Sequence, residues 1–499
     1  MKAFPTLGRP VAFALLIVLW AAIFLPALGA IEIKGEEIRR IMPGVNMLES
    51  GNWIVPQFNG LPYLRKPPLV NWAIALSIKT FGRRTERTVR LPSVLAMLAL
   101  GLVMLATCSE WLGINTALAA ALIALTTAGL MEKGRLAEIE AIYIALFGMA
   151  FSCWLGWSAT GRSLWLIWPV TGLLLGLGLL AKGPPHLVFF YAIAGFIAWN
   201  SWRKKGTPAA LDTGLASWAH LCGLLIMLGV FALWCIPYLR QSSTLGASGV
   251  WARQMEQRLG EGSSSTILIN FIRSLVNFLP WAIALPLFWR RATLDLLTAR
   301  DRLIVESARW PIAICAFALM FIPGMLPRYT LPLVIPFALL LALVLKAGTQ
   351  DASLRWPLSI ACLAGFGWLV FAAFSSQAIA FFSPFSPAHL GARDFAAQIN
   401  SKMPPGNSIY IFNPTVQPQI FYIHGRLIFQ DAHEPLPADA PFLLAPEKSA
   451  PSLRQKFQQS RILVQLKDQG GTPYDLLSLH GQIKRKTDSK PVTAPPTAP

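Results

Sequence analysis

Residues able to do acid–base and phosphate chemistry gather early in the chain. Glu36-Glu37-Ile38-Arg39 is followed by Ser50-Gly51-Asn52-Trp53 and then by Tyr63-Leu64-Arg65-Lys66-Pro67-Pro68. A carboxylate takes a proton from an attacking group, and fixed Lys and Arg side chains neutralise phosphate oxygens. Lys66 stands before two prolines, which stiffen the backbone on both sides of their bonds. It reads as a phosphate clamp or as a membrane-interface anchor. Arg135, Glu138 and Glu140 form a second polar group at the mouth of an apolar stretch. A carboxylate inside a bilayer span costs about 2.5–3.5 kcal/mol on insertion scales, so Glu140, the deeper of the two, is a functional candidate by default. Lys182-Gly183-Pro184-Pro185 and Arg328-Tyr329 add cations between apolar runs. The bland alternatives are a snorkelling helix cap for Lys182 and an aromatic-belt anchor for Arg328-Tyr329. His186 has no partner at metal spacing and reads as structural.

A membrane must position these residues. Of 499 residues, 54% are hydrophobic and 13% charged, against about 25% charged in soluble chains. Mean hydropathy is +0.51. Apolar runs predict spans near 10–30, 90–108, 113–131, 139–160, 164–181, 184–201, 216–238, 269–289, 308–324, 329–346 and 355–376, eleven in all. The first run follows Lys2 and Arg9 and reads as an uncleaved span. Residues 69–81 are apolar but too short to cross. With the N-terminus inside, Arg203-Lys204-Lys205, Arg290-Arg291 and Lys346 with Arg355 face the cytoplasm, the positive-inside pattern. The loops carrying Glu36, Lys66, Glu138, Lys182, Arg253, Arg258 and Arg328 then open outward. The net charge of +19 serves topology and anionic headgroups, and no basic aromatic-interleaved element points to nucleic acid. Cys108, Cys153, Cys222, Cys235, Cys315 and Cys362 lack zinc-type spacing and read as core residues.

Residues 36–48 carry Ile38, Ile41, Met42, Val45 and Leu48 on one helical face. They predict an interfacial helix with its acids at the N-terminal end, where the dipole favours them, and a kink at Pro43-Gly44. An ordinary amphipathic connector with solvated acids has the same pattern. After about residue 380 the apolar runs shorten to strand length at 408–412, 442–445 and 461–466, with helix-like patches at 392–403 and 451–458. The expected organisation is an all-α polytopic membrane domain over 1–380 (first outer loop 31–88), a small α/β domain over 381–483 and a disordered tail over 484–499.

The ordered set of acidic pair, Arg, Ser-Gly-Asn-Trp and Lys-Pro-Pro resembles the lipid-linked-sugar glycosyltransferases of the GT-C superfamily. The likeness is to the aminoarabinose transferase branch related to protein O-mannosyltransferases, and it covers most of residues 10–350. It implies Glu36 as base, with Glu37 and Glu140 completing the catalytic acids. It implies Arg39, Lys66, Arg258, Lys182 and Arg328 on the donor phosphate, and Glu138, Tyr329 and Tyr63 on substrate. Glu36 stands where such relatives usually carry Asp. Arg65 and Arg253 stand where aminoarabinose transferases have metal-capable Glu and His, which argues against a bound metal without excluding a divalent ion; no cofactor is called for. The resemblance further implies a bacterial inner-membrane enzyme with its site and C-terminal domain in the periplasm. Its partners would be a polyprenyl-phosphate sugar donor, a lipid A or lipopolysaccharide-type glycolipid acceptor and membrane lipids. A protein acceptor, or a non-enzymatic lipid-linked-sugar flippase, are the alternatives.

Overall fold

Apolar length decides how much of this chain can cross a bilayer. The computed structural model describes residues 5–59, 61–64, 66–242, 266–321, 325–348, 352–374, 391–404, 406–412, 418–430, 440–449, 460–468 and 471–479. Arg65, Arg253, Arg258, the helical patch at 451–458 and the tail from 484 lie outside the described residues.

The chain is a multi-pass membrane protein, but eleven spans are not reproduced. Among the described residues six helices are long and apolar enough to cross: Glu86–Leu112, Ile139–Ala159, Leu164–Lys182, Trp218–Ser242, Pro327–Ala347 and Leu354–Ala373. Ile269–Val276 and Trp281–Trp289 meet at 95° and make a seventh if counted as one broken span. An apolar run need not be one helix, and this separates the run count from the helix count among the described residues. The run at 113–131 divides into Ile114–Leu125 and Ala128–Lys133. At the break, the Thr126 and Thr127 hydroxyls donate to the carbonyls of Leu122 and Ala124. Arg9–Phe24, at ~1.5 Å per residue, is about 24 Å long and shorter than a ~30 Å core. Leu69–Phe81 is a 13-residue helix, too short to span, as expected.

The amphipathic helix after the first apolar segment is α2, Gly35–Ser50. It runs unbroken through Pro43-Gly44 because its partner, α3 (Leu69–Phe81), supports it there. Asn71 Nδ2 donates to the Arg40 carbonyl at 2.7 Å. A Cβ on Gly44 would stand 2.9 Å from the Asn71 carbonyl oxygen, so glycine permits the close crossing. The loop between them is pinned from several sides. Asn52 Oδ1 accepts from the amides of Ile54 and Val55. The indoles of Trp72 and Trp234 donate to the carbonyls of Trp53 and Ile54. A two-stranded hairpin (Gln57–Phe58 with Leu61–Pro62) closes it.

The start of α2 is fixed by one buried ion pair. Arg90 and Glu37 are 2% and 0% exposed and meet at 2.7 Å. All five guanidinium donors of Arg90 are used: two on Glu37, and the others on the carbonyls of Leu28, Ile31 and Glu32. Glu37 also accepts from the amides of Lys34 and Ala137, both at 2.9 Å. One pair therefore joins the end of the first helix, α2, the helix Glu86–Leu112 and the loop before Ile139.

Contacts divide the chain into Met1–Ser383 and Pro384–Pro499. The second unit is β-rich. Its five-stranded sheet runs Arg426–Gln430, Ser408–Phe412, Phe442–Pro446, Pro473–Ser478, Arg461–Lys467, parallel across the first three and antiparallel beyond. The helix Ala392–Lys402 supplies Phe395, Ala396 and Ile399 to the core against Ile409, Phe442, Leu444 and Leu476.

Removing one partner from a buried ion pair leaves an uncompensated charge, at a cost of about 3–5 kcal/mol. Glu37→Ala is expected to destabilise the purified protein by an amount of that order, seen as a lower Tm. Arg90→Met with Glu37→Leu should recover only part of it, because three carbonyls and two amides lose their partner. Full recovery in a thermal melt would show that the backbone bonds contribute little.

Candidate active site

Adjacent residues on a helix do not share a face, and that separates the acidic pair. Glu37 turns inward to Arg90, with both oxygens engaged. Glu37, expected among the catalytic acids, is therefore buried against Arg90 and is not among the carboxylates that meet Arg328. Glu36 remains 39% exposed and pairs with Arg39 at 3.1 Å.

Glu36 then meets residues distant in sequence. Arg328 lies 3.8 Å from Glu36 Oε2, 3.8 Å from Glu138 Oε2 and 3.2 Å from Glu140 Oε1. Lys182 Nζ reaches the same Glu140 oxygen at 3.2 Å. It sits over the rings of Tyr143 and Tyr329, 4.9 and 4.5 Å from their centroids. Lys133 bridges Glu132 and Glu138 at 3.2 Å each. Sequence reasoning missed Lys133, whose only signal was charge beside an apolar run.

Local structure explains each position. Lys182 is the last residue of the helix Leu164–Lys182, and the next helix starts at Pro185. Gly183 between them has φ 101°, a value that favours glycine. His186 holds this turn: its two ring nitrogens lie 3.0 Å from the carbonyl oxygens of Gly183 and Leu175. Arg328 and Tyr329 belong to the 3-10 turn Pro327–Leu333, tied by Asn277 Nδ2 donating to the Pro327 carbonyl. Glu138 is the residue just before the helix Ile139–Ala159, its side chain left free of the helix amides, and Glu140 lies in the first turn.

Two expected substrate-handling residues sit in the pinned loop. Tyr63 Oη accepts from Arg40 at 2.8 Å, and its ring packs edge-on against Phe58. Lys66 is half-buried just before α3. The structure thus joins Glu36, Arg39, Glu138, Glu140, Lys182, Arg328 and Tyr329 in one connected cluster. No group of three or more His, Cys, Asp or Glu able to hold a metal occurs among the described residues.

A family model for dolichyl-phosphate-mannose-protein mannosyltransferase matches residues 65–236. Undecaprenyl phosphate-alpha-4-amino-4-deoxy-L-arabinose arabinosyl transferases are similar over most of the membrane domain. That of Erwinia tasmaniensis is 27% identical over 65% of this chain and 57% of its own. That of Pseudomonas aeruginosa is 27% identical over 61% and 54%. The chain spans little more than half the length of these curated relatives. The crystal structure of ArnT from Cupriavidus metallidurans bound to undecaprenyl phosphate superposes with a TM-score of 0.68 at 16% identity, covering 95% of this chain and 99% of that one. The resemblance to the GT-C superfamily, on its aminoarabinose-transferase and protein-mannosyltransferase side, therefore holds in sequence and in fold.

Burial raises the Glu138 carboxyl above its ordinary value; Lys133 opposes the shift and Glu140 adds to it. An acid with a raised folded pKa binds its proton more tightly folded than unfolded. Its contribution to stability is therefore lost as pH rises from about 4.5 through the raised value. Compared with Glu138→Gln, the wild type is expected to lose Tm across that window. A pH-independent difference in Tm would show that Lys133 offsets the burial fully.

Proposed function

We propose that this protein is a glycosyltransferase of the bacterial inner membrane, moving a monosaccharide from a polyprenyl-phosphate donor to a glycolipid of lipid A type on the periplasmic face. The observation that carries the reading is the convergence of Glu36, Glu138 and Glu140 on Arg328 beside Lys182. The undecaprenyl phosphate named for the relatives and for the superposed structure supports the donor class.

On this reading the acceptor hydroxyl attacks the anomeric carbon and its proton passes to Glu36, the exposed acid of the cluster. The bond from anomeric carbon to phosphate oxygen breaks, and the electron pair leaves on the phosphate. Arg39 and Lys66, with Arg258 from outside the described residues, receive the developing charge, and Arg328 and Lys182 complete the electropositive wall. A hydrogen bond to an ionised group contributes about 1.5–3 kcal/mol, so two or three that strengthen in the transition state supply a sizeable part of catalysis. One direct displacement inverts the anomeric carbon. Glu138, Tyr63 and Tyr329 are assigned to substrate positioning.

Labelled sugar transfer from polyprenyl-phosphate donors to membrane glycolipid extract tests the reading. Glu36→Gln is expected to keep donor binding and lose roughly 10²–10⁴-fold in rate, the usual share of a general base. Lys66→Ala should weaken donor-phosphate binding by roughly 10–100-fold. Equal loss of binding in both variants would make Glu36 structural, and a retained anomeric configuration would refute direct displacement. Donor binding without transfer from any donor would favour a lipid-linked-sugar flippase.

A further inference from the structure

A cavity lined in part by Arg90 lies beside the Glu37–Arg90 clamp, and its Arg135 and Lys34 take no part in the proposed transfer. It holds about 270 Å³ between the end of the first helix, the start of α2, the loop at 132–136 and the helix Ala352–Ala373. At ~30 Å³ per water it has room for about nine waters, enough for a headgroup fragment but not for a whole glycolipid. Leu28, Ile31, Met131 and Leu136 give it an apolar lining.

Its charges are unequal. Arg90 lines it, but Glu37 balances Arg90. Glu132 lines it, and Lys133 lies 3.2 Å from its carboxylate. Arg135 is 6% exposed and has no carboxylate partner among the described residues. Its guanidinium donates to the carbonyls of Ile23 and Pro26 and stacks 3.7 Å from the Trp368 ring centroid. Capping the first helix explains two of five donors, and a helix C-terminus supplies only about half a negative charge. Burial, then repulsion from Arg90, lowers the Arg135 pKa to about 10. The exposed Lys34 adds a second cation on the lining. A buried cation without a counter-ion, beside a second cation and above an aliphatic lining, is complementary to an anionic head on an alkyl chain.

We infer that this cavity binds an anionic amphiphile, with its phosphate or carboxylate head at Arg135 and Lys34 and the first part of its chain against Leu28, Ile31 and Trp368. A bulk membrane lipid and an acylated acceptor offer the same chemistry. The site stands independently of the glycosyl-transfer reading.

The test uses the full chain in nanodiscs of zwitterionic lipid, with dodecyl phosphate bearing a diazirine on its chain. Photolysis should label the peptides holding Met131–Leu136 and Trp368. Arg135→Gln should cut that labelling roughly tenfold, the scale of one charge-assisted contact. Ile31→Trp, which fills the cavity without touching its charge, should do the same and serves if Arg135→Gln fails to fold. Lys66→Ala should leave these peptides labelled, separating this site from the donor phosphate site. Competition by phosphatidylglycerol or by an acylated glycolipid phosphate identifies the source, and either supports the site. Equal labelling by the uncharged dodecanol analogue would overturn the inference. So would equal competition by inorganic phosphate alone, or undiminished labelling in both variants.

Discussion

The buried contact between Arg90 and Glu37 ties together the segments that carry the carboxylates of the candidate site. In a low-dielectric setting such a pair is weak evidence for net stability, since desolvation opposes the attraction. Its value here is registration. Arg90 engages Leu28, Ile31 and Glu32 on one side and Glu37 on the other, while Glu37 reaches the amides of Lys34 and Ala137. Glu36 is the next residue to Glu37, and Glu138 is the next to Ala137. A single clamp therefore sets the two carboxylates relative to each other, although about a hundred residues separate them. The cluster around Arg328 is joined to this clamp through Glu36 and Glu138, and Arg90 also lines the cavity described above.

Much of this was legible in the chain. The membrane class followed from composition, and the acids at the start of α2 followed from helical periodicity. Lys182 before Gly183-Pro184 reads directly as a helix end that places a cation. In the C-terminal unit, apolar runs marked the strands at 408–412, 442–446 and 461–467, but Arg426–Gln430 and Pro473–Ser478 are too polar in pattern to stand out.

The rest was hidden for definite reasons. Two neighbouring glutamates look equivalent in a sequence, yet the rotation of about 100° per residue sends one to the core and one to the cluster. Arg90 is a lone charge at the edge of an apolar run, and nothing local tells a snorkelling arginine from a clamp. Eleven spans are not confirmed among the described residues, and hydropathy does not register the break after Leu125 or the 95° bend after Val276. Both depend on side-chain hydroxyls and tertiary contacts. The union of Arg328 with Glu36, Glu138 and Glu140 is likewise a long-range fact, delivered by a 3-10 turn that no periodicity announces.

Charge balance in the cluster bears on the proposed roles of its acids. Among the described residues the ion pairs set Glu36, Glu132, Glu138 and Glu140 against Arg39, Lys133, Lys182 and Arg328, four charges of each sign. On the proposed reading, a phosphate that draws on these cations as well as on Lys66 loosens one of the pairs. The Arg39–Glu36 pair is about 40% exposed on both sides, and an exposed pair contributes only about 0–1 kcal/mol. Glu140 and Lys182 are 6% and 8% exposed at 3.2 Å, and separating them would strand buried charge. On the proposed reading exchange is cheapest at Glu36, where phosphate would take Arg39 and release the carboxylate. That asymmetry favours Glu36 for the proton-accepting role proposed above, with Glu140 holding Lys182 and Arg328.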